Sequence, residues 1–491
     1  MNNDTPSLAR KEEGEDRLQA LLDHLGRLLP DATQRRAFEA CSYTPPPPSL
    51  RLNALISGSQ SLSASLAEHA QPVPWCSTGY AFPADESRLS HTVEHAVGAY
   101  YLQAKAPMFA VEALAPQPGE RVLDLCAAPG GKTTQIAAHM NNTGLLVANE
   151  MSKKRLPALV GNLERCGVGN AIITQAQGTM LARYFHNFFD RILVDAPCSG
   201  DGIVRKDLSM LRYWSPEDAQ RQAQTQTGLL RAAFHMLRPG GTLVYSTCSL
   251  SLEENEHVLM ALLTRYGESA SVLPISNMEG LPLPEPVRAD FPDSLRHTVR
   301  IWPHLYDTEG AFVARIGKRS PTDWPQVESD AAQWLRSAAD DPAALHACQT
   351  LERLWHFPIP RTADQVVASR SRHLIMQPAV SDSVENNLPF FVRAGMRFGR
   401  RHKTHFYFTQ QGISLWGYRA SERCVDLDWD DVCALFRGER LALDRPLTQR
   451  GEVICRHGIW PICRAMVEEE GTQLNGMLPR PLYRNDVRRL A

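Results

Sequence analysis

The sequence lacks the features that would assign it to a secreted, membrane or zinc-binding class. Its 11 cysteines are odd in number and contain no CxxC pair, which argues against a disulfide framework and a cysteine-rich zinc site. No apolar run approaches the roughly 18 residues that cross a bilayer. The segment Met1 to Asp16 is polar and has no apolar core. We therefore expect no signal peptide and a cytoplasmic protein with reduced thiols.

Net charge of one sign is also missing. The formal net charge is −2 over 491 residues, and the hydrophobic fraction of 43% is that of a globular protein. A nucleic-acid surface would therefore have to be a local patch rather than a property of the whole chain. The length is too great for one ordinary domain and predicts roughly two to four. Nothing in the sequence indicates an oligomer, so we expect a monomer without membrane association.

Short apolar runs alternate with helical stretches in the middle of the chain. Such runs are typical of strands that are buried on both faces, so the pattern predicts a doubly wound, Rossmann-like α/β fold. The predicted strands are Arg121–Leu125, Leu145–Ala148, Ala171–Thr174, Arg191–Val194 and Thr242–Ser246. We predict a small N-terminal α/β RNA-binding domain (1–100), the α/β core (101–320), a linker (321–385) and a C-terminal β-rich module (386–491).

Helix-start signals and a few strand-like runs complete the prediction. Ser215 followed by Pro216 and two acids predicts an N-cap, and Ser251 followed by Glu254 resembles a capping box. Before the core, Leu50–Leu55 is a predicted strand. The C-terminal module contains three strand-like runs, which are Phe406–Phe408, Ile413–Tyr418 and Val453–Ile454.

A glycine turn follows the first strand of the α/β core. A P-loop would need a glycine at Cys126, and a dinucleotide fingerprint would need G-x-G-x-x-G, so both fail. The turn instead suits S-adenosylmethionine (SAM), whose amino and carboxylate groups would bind there without any phosphate. An acid just past the second strand, Glu150, is placed to accept from a ribose diol, although an isolated acid is more often merely solvated. The turn consists of Cys126, Ala127, Ala128, Pro129, Gly130, Gly131 and Lys132.

Two cysteines fall just past the ends of later strands. Cys198 follows Asp195, and Cys248 follows the strand Thr242–Ser246; ligands of open α/β sheets bind at such strand ends. A thiolate that adds to carbon 6 of cytosine makes carbon 5 nucleophilic enough to accept a methyl group. Asp195 is placed to assist by contacting ring N3 or the amino group. Residue positions alone leave the roles of the two thiols interchangeable.

Four of the other cysteines are better explained as small buried apolar residues. We interpret Cys41, Cys76, Cys166 and Cys348 in this way.

These motifs together resemble the Nop2/Sun (NSUN) family of RNA cytosine-5 methyltransferases. The resemblance rests on Cys126–Lys132, on Asp195-Ala-Pro-Cys-Ser-Gly and on Ser246-Thr-Cys-Ser, in that order. It implies that Cys248 is the nucleophile and that Cys198 helps to release the product. It also implies SAM contacts from the glycine turn, Glu150, position 177 and Asp195. The family usually has Asp at position 177, so Gln177 predicts weaker SAM binding, because a glutamine carbonyl accepts without charge.

The extensions on both sides of the core resemble the branch of the family that methylates cytosine in small-subunit (16S) rRNA. In that branch a PUA-like RNA-binding module follows the core, and Gly458-Ile-Trp-Pro-Ile and Gly476-Met-Leu-Pro-Arg are similar to its pattern. The resemblance implies 16S rRNA in the small subunit as the partner. A tRNA target and a non-catalytic ribosome-assembly factor remain as alternatives.

A basic cluster with interleaved aromatics predicts an RNA-binding surface. A solvated basic face is the plain alternative for any single cluster. The cluster comprises Arg393, Arg397, Phe398, Arg400, Arg401, Lys403, Phe406 and Tyr407, with further cations at Lys153, Lys154, Arg155, Arg205 and Lys206.

Overall fold

The computed structural model describes residues 8–490 apart from 85, 87, 207, 276–286, 288, 326–336, 404, 444–445, 448–450 and 469. The strands within these residues form four sheets. Along the described chain, every helix is too short or too polar to span a bilayer.

The described part of the N-terminal region contains four α-helices and a four-stranded sheet. The Asp31 carboxylate caps the second helix by accepting from the amides of Thr33 and Gln34. The predicted strand at Leu50 is confirmed, although it ends at Leu52. The sheet order is β2-β3-β1-β4. The elements are α1 (Leu8–His24), α2 (Ala32–Ser42), β1 (Ser49–Leu52), α3 (Leu62–His69), β2 (Gln71–Val73), β3 (Cys76–Ala81), α4 (Val93–Ala96) and β4 (Tyr100–Leu102).

The centre of the molecule is the predicted doubly wound α/β sheet, which confirms the fold class. Its five parallel strands carry the order β9-β8-β5-β6-β7, and β10, β11 and β12 extend it with antiparallel pairs. All five predicted strands are present. The bounds of Ala171–Thr174 are as predicted, three others change by one or two residues at an end, and β9 begins five residues earlier than predicted, at Leu237. The elements are α5 (Lys105–Leu114), β5 (Arg121–Asp124), α6 (Gly131–His139), β6 (Leu145–Asn149), α7 (Leu156–Arg165), β7 (Ala171–Thr174), α8 (Gly178–Leu181), β8 (Phe189–Asp195), α9 (Pro216–Met236), β9 (Leu237–Thr247), α10 (Glu256–Tyr266), β10 (Ala270–Leu273), β11 (Val299–Ile301), α11 (Pro303–Tyr306) and β12 (Ala311–Lys318).

One of the two helix-start predictions is confirmed and the other is wrong. The Ser215 hydroxyl accepts from the amide of Asp218 and begins α9 as predicted. Ser251 does not cap a helix, because its hydroxyl donates to the buried carboxylate of Asp201. Helix α10 begins only at Glu256. A tertiary partner has therefore replaced the local bond on which the capping-box pattern depends.

The C-terminal region contributes to three sheets. Strand β15 pairs antiparallel with β7 and thus forms an edge of the central sheet. A second sheet has the order β13-β14-β16-β17 and a third the order β18-β20-β21-β22-β19. The elements are α12 (Pro342–Trp355), β13 (Gln365–Arg370), β14 (His373–Pro378), α13 (Ser381–Asn387), β15 (Phe391–Ala394), β16 (Met396–His402), β17 (His405–Phe408), α14 (Gln410–Trp416), β18 (Cys424–Asp426), α15 (Trp429–Arg437), β19 (Leu441–Ala442), β20 (Gly451–His457), β21 (Trp460–Val467) and β22 (Gln473–Gly476).

Two details of this region differ from the sequence-based expectations. The sheet that begins at β13 runs from 365 to 408, so it lies on both sides of the predicted boundary at 385/386. The predicted strand Ile413–Tyr418 is wrong, because this segment lies mostly in helix α14, which Thr409 caps. Its residues are nearly all buried, and a short continuous apolar run does not distinguish a strand from a buried helix.

Buried apolar residues join distant parts of the chain. One cluster extends from Leu50 in the N-terminal sheet to Trp355 and on to Ile462 in the C-terminal sheet. Two other clusters cover the central sheet. The N-terminal and C-terminal regions therefore pack directly against one another. Residues of both regions also belong to the two clusters that cover the central sheet.

Candidate active site

The predicted site residues meet at the carboxyl ends of the parallel strands. Asp124 ends β5 and Asp195 ends β8, while Cys248 follows directly after β9. The register pairs Asp195 with Ser246 of β9, and the Ser246 hydroxyl donates to the Asp195 carboxylate over 2.9 Å. Parallel pairing of β8 with β9 thus brings together two segments that are distant in sequence.

The glycine turn joins β5 to α6. Gly130 precedes the helix with φ of 109°, a conformation that favours glycine. The buried Arg51 from β1 donates to the carbonyl of Gly131 over 3.2 Å and to the Thr134 hydroxyl over 2.9 Å. The N-terminal sheet therefore holds the turn in place. Arg51 is not among the residues predicted from the sequence, because a single arginine within a strand gives no local signal of this contact.

The groups around the turn fit the polar parts of SAM. The amides at the start of α6 face away from the helix and suit a carboxylate. Glu150 is buried, and its Oε2 accepts from the amide of Ala128 over 3.3 Å, while Arg155 Nη1 lies 3.3 Å away. This places a carboxylate next to the turn, where a ribose diol would donate to it. Gln177 is exposed at the start of α8 and does not cap that helix.

The two thiols are in direct contact. The Sγ atoms of Cys198 and Cys248 lie 2.9 Å apart, and both cysteines are free. The amide of Cys248 also donates to the Cys198 sulfur over 3.3 Å. The hydrogen bond with Cys248, together with burial, raises the pKa of Cys198 well above that of an ordinary thiol. The fold therefore brings together the two cysteines that the sequence places 50 residues apart.

A cavity of about 210 Å³ opens next to these groups. Lys132, Asp195 and Cys248 all line it, together with Ile203 and Glu309, whereas Cys198 is not among its lining residues. The cavity is smaller than the roughly 300–1,000 Å³ of pockets for drug-sized ligands. Its volume is enough for a group of about the size of a single ring.

An ion pair forms one wall of the cavity. Lys132 Nζ lies 2.7 Å from Asp195 Oδ2. Burial lowers the pKa of Lys132, but Asp195 more than offsets this effect, so the net pKa is raised. The ammonium is therefore charged at neutral pH and fixes the orientation of the Asp195 carboxylate.

Two glycines in close contact support the turn that carries Cys248. The amide of Gly202 donates to the carbonyl of Cys248 over 2.9 Å, and the amide of Gly310 donates to the carbonyl of Gly202 over 2.7 Å. A Cβ atom at Gly202 would lie 2.5 Å from the Cys248 oxygen. The position thus has no room for a larger residue.

The structure corrects part of the predicted basic surface. Arg205 is buried and donates to the carbonyl of Thr44 and to the carboxylate of Asp307, so it is a structural residue rather than an RNA contact. Phe398 is also buried and has no face open for stacking. Arg393 forms an ion pair with Glu164 over 2.7 Å.

Other predicted cations remain accessible. Exposed side chains are those of Arg397, Arg400, Arg401, Lys403, Lys153, Lys154, Arg155 and Lys206. Tyr407 lies beneath Arg464, whose guanidinium carbon is 3.8 Å from the ring centre.

The interpretation of four cysteines as buried apolar residues is met for three of them. Cys76, Cys166 and Cys348 are buried, as the interpretation of them as apolar residues requires, while Cys41 is only half-buried. Within the described part of the chain, no group of three or more His, Cys, Asp or Glu residues is arranged to hold a metal ion.

Two family models match the sequence. The model of the 16S rRNA methyltransferase RsmB/F matches residues 111–317. The model of the N-terminal domain of the 16S rRNA methyltransferase RsmF matches residues 19–105.

Full-length relatives and solved structures are also similar to this chain. The ribosomal RNA small subunit methyltransferase F of Vibrio cholerae is 34% identical over 473 residues, which is 94% of this chain and 96% of that protein. Its namesake from Erwinia tasmaniensis is 32% identical over 480 residues, 95% of this chain and 96% of that one.

Among solved structures, a methyltransferase homolog protein from Pyrococcus horikoshii is 30% identical with a TM-score of 0.54, covering 63% of this chain and 99% of that one. NSun6 from the same organism, solved with SFG, is 22% identical with a TM-score of 0.53, covers 61% and 98% of the two chains, and supports the fold alone. Because the similarity to the bacterial relatives extends over nearly the whole of both chains, this protein belongs to the RsmB/F family of 16S rRNA methyltransferases.

Proposed function

We propose that the chain methylates carbon 5 of a cytosine in 16S rRNA and that Cys248 is its nucleophile. The observation that carries this proposal is that Cys248 lines a one-ring cavity together with the Lys132–Asp195 ion pair. Cys198 touches Cys248 but does not line the cavity. The position of the cavity therefore favours Cys248 for attack, a choice that the positions of the cysteines in the sequence leave open.

The reaction follows from the chemistry of cytosine. The Cys248 thiolate adds to carbon 6, and the electron pair of the 5,6 double bond becomes available at carbon 5. SAM, when bound, supplies the methyl group that carbon 5 takes up. Asp195 accepts a hydrogen bond from the amino group, or from N3 once N3 has taken up the proton that the Cys248 thiol releases, and so favours the addition. Lys132 keeps the Asp195 carboxylate in place through the 2.7 Å ion pair.

Release of the product restores the aromatic ring. The proton on carbon 5 passes to a base, the bond between sulfur and carbon 6 breaks, and Cys248 leaves as a thiolate. We assign Cys198 to this step because its sulfur is in contact with that of Cys248. A Cys198→Ala variant would then accumulate a protein–RNA adduct that is stable on a denaturing gel.

The cofactor is held by the glycine turn and the strand ends. SAM is the methyl donor of this family. We assign its methionine part to the turn from Cys126 to Lys132 and to Asp195, its ribose to Glu150 and its adenine to Gln177. The donor chemistry at the turn and the buried Glu150 carboxylate support this assignment.

The target and the flanking regions are part of the same proposal. Relatives with 32–34% identity over nearly their whole length are named small-subunit rRNA methyltransferases, which supports 16S rRNA as the substrate and the cytoplasm as the location. We propose that residues 1–100 and the C-terminal β-rich part, as a PUA-like module, bind RNA around the core. The C-terminal unit is better begun at β13 than at 386, because its sheet runs from 365 to 408.

The test is methylation of defined RNAs. Small ribosomal subunits, naked 16S rRNA and tRNA are incubated with methyl-labelled SAM, and labelled 5-methylcytosine is mapped in each. We expect label in the subunit or its rRNA and none in tRNA. Label in tRNA alone would contradict the rRNA assignment, and label at an atom other than carbon 5 would contradict the chemistry. A Cys248→Ala preparation serves as the inactive control.

A further inference from the structure

Hydrogen bonds to buried side chains hold the residues on both sides of each thiol. Asn255 bonds both neighbours of Cys248. Glu254 bonds Ser199 on one side of Cys198, and Gln226, which also donates to Glu254, bonds Pro197 on the other. Cys198 lies between Pro197 and Ser199, and Cys248 lies between Thr247 and Ser249. The residues that hold these two segments are Glu254 and Asn255, which are neighbours in the chain and are both 0% exposed. The sequence analysis assigned no role in catalysis to either of them.

Glu254 holds the segment that carries Cys198. Its Oε1 accepts from the amide of Ser199 over 2.9 Å, and its Oε2 accepts from the Ser199 hydroxyl over 2.5 Å. Gln226 Nε2 donates both to Glu254 Oε1 over 2.8 Å and to the carbonyl of Pro197 over 2.9 Å. The Tyr245 hydroxyl donates to the backbone carbonyl of Glu254. A buried carboxylate with these partners fixes the position of the Cys198 segment, because an unsatisfied buried charge would be costly.

Asn255 holds the turn that carries Cys248. The Thr247 hydroxyl donates to Asn255 Oδ1 over 2.7 Å, and Asn255 Nδ2 donates to the carbonyl of Ser249 over 3.0 Å. The amide side chain therefore spans the Cys248 turn from one side to the other. Neither set of contacts uses a group of the other thiol segment.

We propose that Glu254 and Asn255 position the two thiols separately, so that Glu254 governs release of the methylated product through Cys198 and Asn255 governs attack through Cys248. This inference rests on the proposed function, because it assumes the two roles of the thiols. Both residues act through another side chain and are positioning residues. Their separate contacts allow the two steps of the reaction to be changed one at a time.

The experiment measures how the enzyme divides between the free protein and the covalent RNA adduct. Full-length wild type, Glu254→Gln and Asn255→Ala are incubated with SAM and small-subunit rRNA. The adduct is measured on a denaturing gel and the turnover by labelled methyl transfer. For Glu254→Gln we expect slower turnover and an adduct fraction higher by about tenfold, the size of effect that loss of one charge-assisted hydrogen bond gives. For Asn255→Ala we expect both adduct formation and turnover to fall, without accumulation of adduct.

A double variant separates positioning of Cys198 from a general loss of structure. If Glu254 acts only through Cys198, then Glu254→Gln adds nothing to the adduct level of Cys198→Ala. The matched control is Glu253→Gln, because this neighbouring carboxylate contacts His24 instead of a thiol segment; its adduct fraction should equal that of the wild type. Ser199→Ala removes the hydroxyl that donates to Glu254 and leaves Glu254 itself in place. It should also raise the adduct fraction, by a smaller factor than Glu254→Gln. It keeps the test decisive if Glu254→Gln does not fold.

The outcomes distinguish this inference from the proposed function. An unchanged adduct fraction in folded Glu254→Gln, or in Ser199→Ala in its place, would overturn the assignment of Glu254. Accumulation of adduct in Asn255→Ala would overturn the assignment of Asn255. If Cys198→Ala itself formed no adduct while the wild type methylated rRNA, the covalent mechanism would be wrong, whatever the behaviour of the two positioning residues.

Discussion

Among the residues that the structure describes, two pairs of cysteines face each other, and the two pairs have different surroundings. Cys198 and Cys248 follow parallel strands, and Cys248 opens onto a cavity. Cys455 and Cys463 lie directly opposite each other within antiparallel strands β20 and β21 and are completely buried. Contact between two thiols is therefore not enough to indicate chemistry. The two pairs differ in position: Cys198 and Cys248 lie past the ends of parallel strands, where ligands of α/β sheets bind, whereas Cys455 and Cys463 lie within strands.

The two pairs also differ in the polar groups around them. Glu254, Asn255 and Asp201 bind the segments around Cys198 and Cys248. The C-terminal pair belongs to the apolar cluster that joins the N-terminal and C-terminal regions. As in Cys198, the hydrogen bond with the facing cysteine, here Cys463, together with burial raises the pKa of Cys455 well above its usual range. This thiol therefore stays protonated and packs as an apolar side chain.

The largest expected effect separates the two pairs outright. Cys248→Ala should reduce methyl transfer to the background level, because no other group on the cavity wall replaces the sulfur nucleophile. Cys455→Ala should leave methyl transfer unchanged and lower the free energy of unfolding by about 1–2 kcal/mol, through a small cavity. Methyl-transfer rates and denaturant unfolding of the two variants measure this contrast. Comparable activity in both variants would break the distinction between the pairs.

Glycines next to each pair sharpen the comparison. In Gly202→Ala the new methyl would lie 2.5 Å from the Cys248 oxygen, so the thiol turn must shift. We expect methyl transfer to fall by roughly tenfold to 100-fold, because small displacements of reacting groups are costly. In Gly476→Ala the methyl would meet Leu435 at 2.3 Å, in the apolar core near Cys463.

The second variant should lose stability by about 1–3 kcal/mol while its turnover, measured well below the melting temperature, stays normal. Initial rates and thermal unfolding of both proteins check the pair of predictions. Equal losses of activity would show that the Gly202 contact has no special role.

The pH dependence of stability provides a third contrast. Burial is the main reason that the pKa of Asp201 is raised from 3.8 to about 6, with Glu254 adding to the effect. The folded state then holds a proton that the unfolded state has lost, so the stabilising contribution is complete below pH 4 and is lost as the pH rises towards about 6.

Asp201→Asn removes this titration. Its stability relative to the wild type should increase over that interval, by at most about 3 kcal/mol. Urea unfolding of both proteins at pH 4, 5, 6 and 7 measures the difference. As a control, the difference in unfolding free energy between Cys455→Ala and the wild type should not change with pH over this interval. A difference between Asp201→Asn and the wild type that also did not change with pH would count against the raised pKa of Asp201.

The smallest expected effect lies in the cofactor half of the site, away from both thiol pairs. Gln177→Asp introduces a charged acceptor for the adenine amino group at an exposed position. We expect SAM to bind more tightly by about two- to fivefold, since solvent weakens the interaction. Calorimetric titration with SAM measures the change, and unaltered or weaker binding would contradict the adenine assignment. The adduct fraction at saturating SAM should not change.

The central fold was predictable because its signals are local. Continuous apolar runs placed all five parallel strands, and the glycine turn marked the start of α6. The strand-end rule then placed Asp195, Cys198 and Cys248 at one edge of the sheet. Prediction failed where a tertiary contact replaced a local one. Ser251 bonds to Asp201 instead of capping a helix, and the buried run that begins at Ile413 forms α14 instead of a strand.

The sequence by itself predicted a SAM-dependent methyltransferase, because a SAM-type turn and two cysteines at strand ends have recognisable residues at recognisable places. Only the tertiary structure decided which thiol faces the cavity and which buried residues hold each thiol. It also decided that Arg205 and Phe398 belong to the interior. The physical reason is that strand order and register bring Asp195 and Ser246 side by side across 51 residues. A contact of that range leaves no periodic or local signal in the chain.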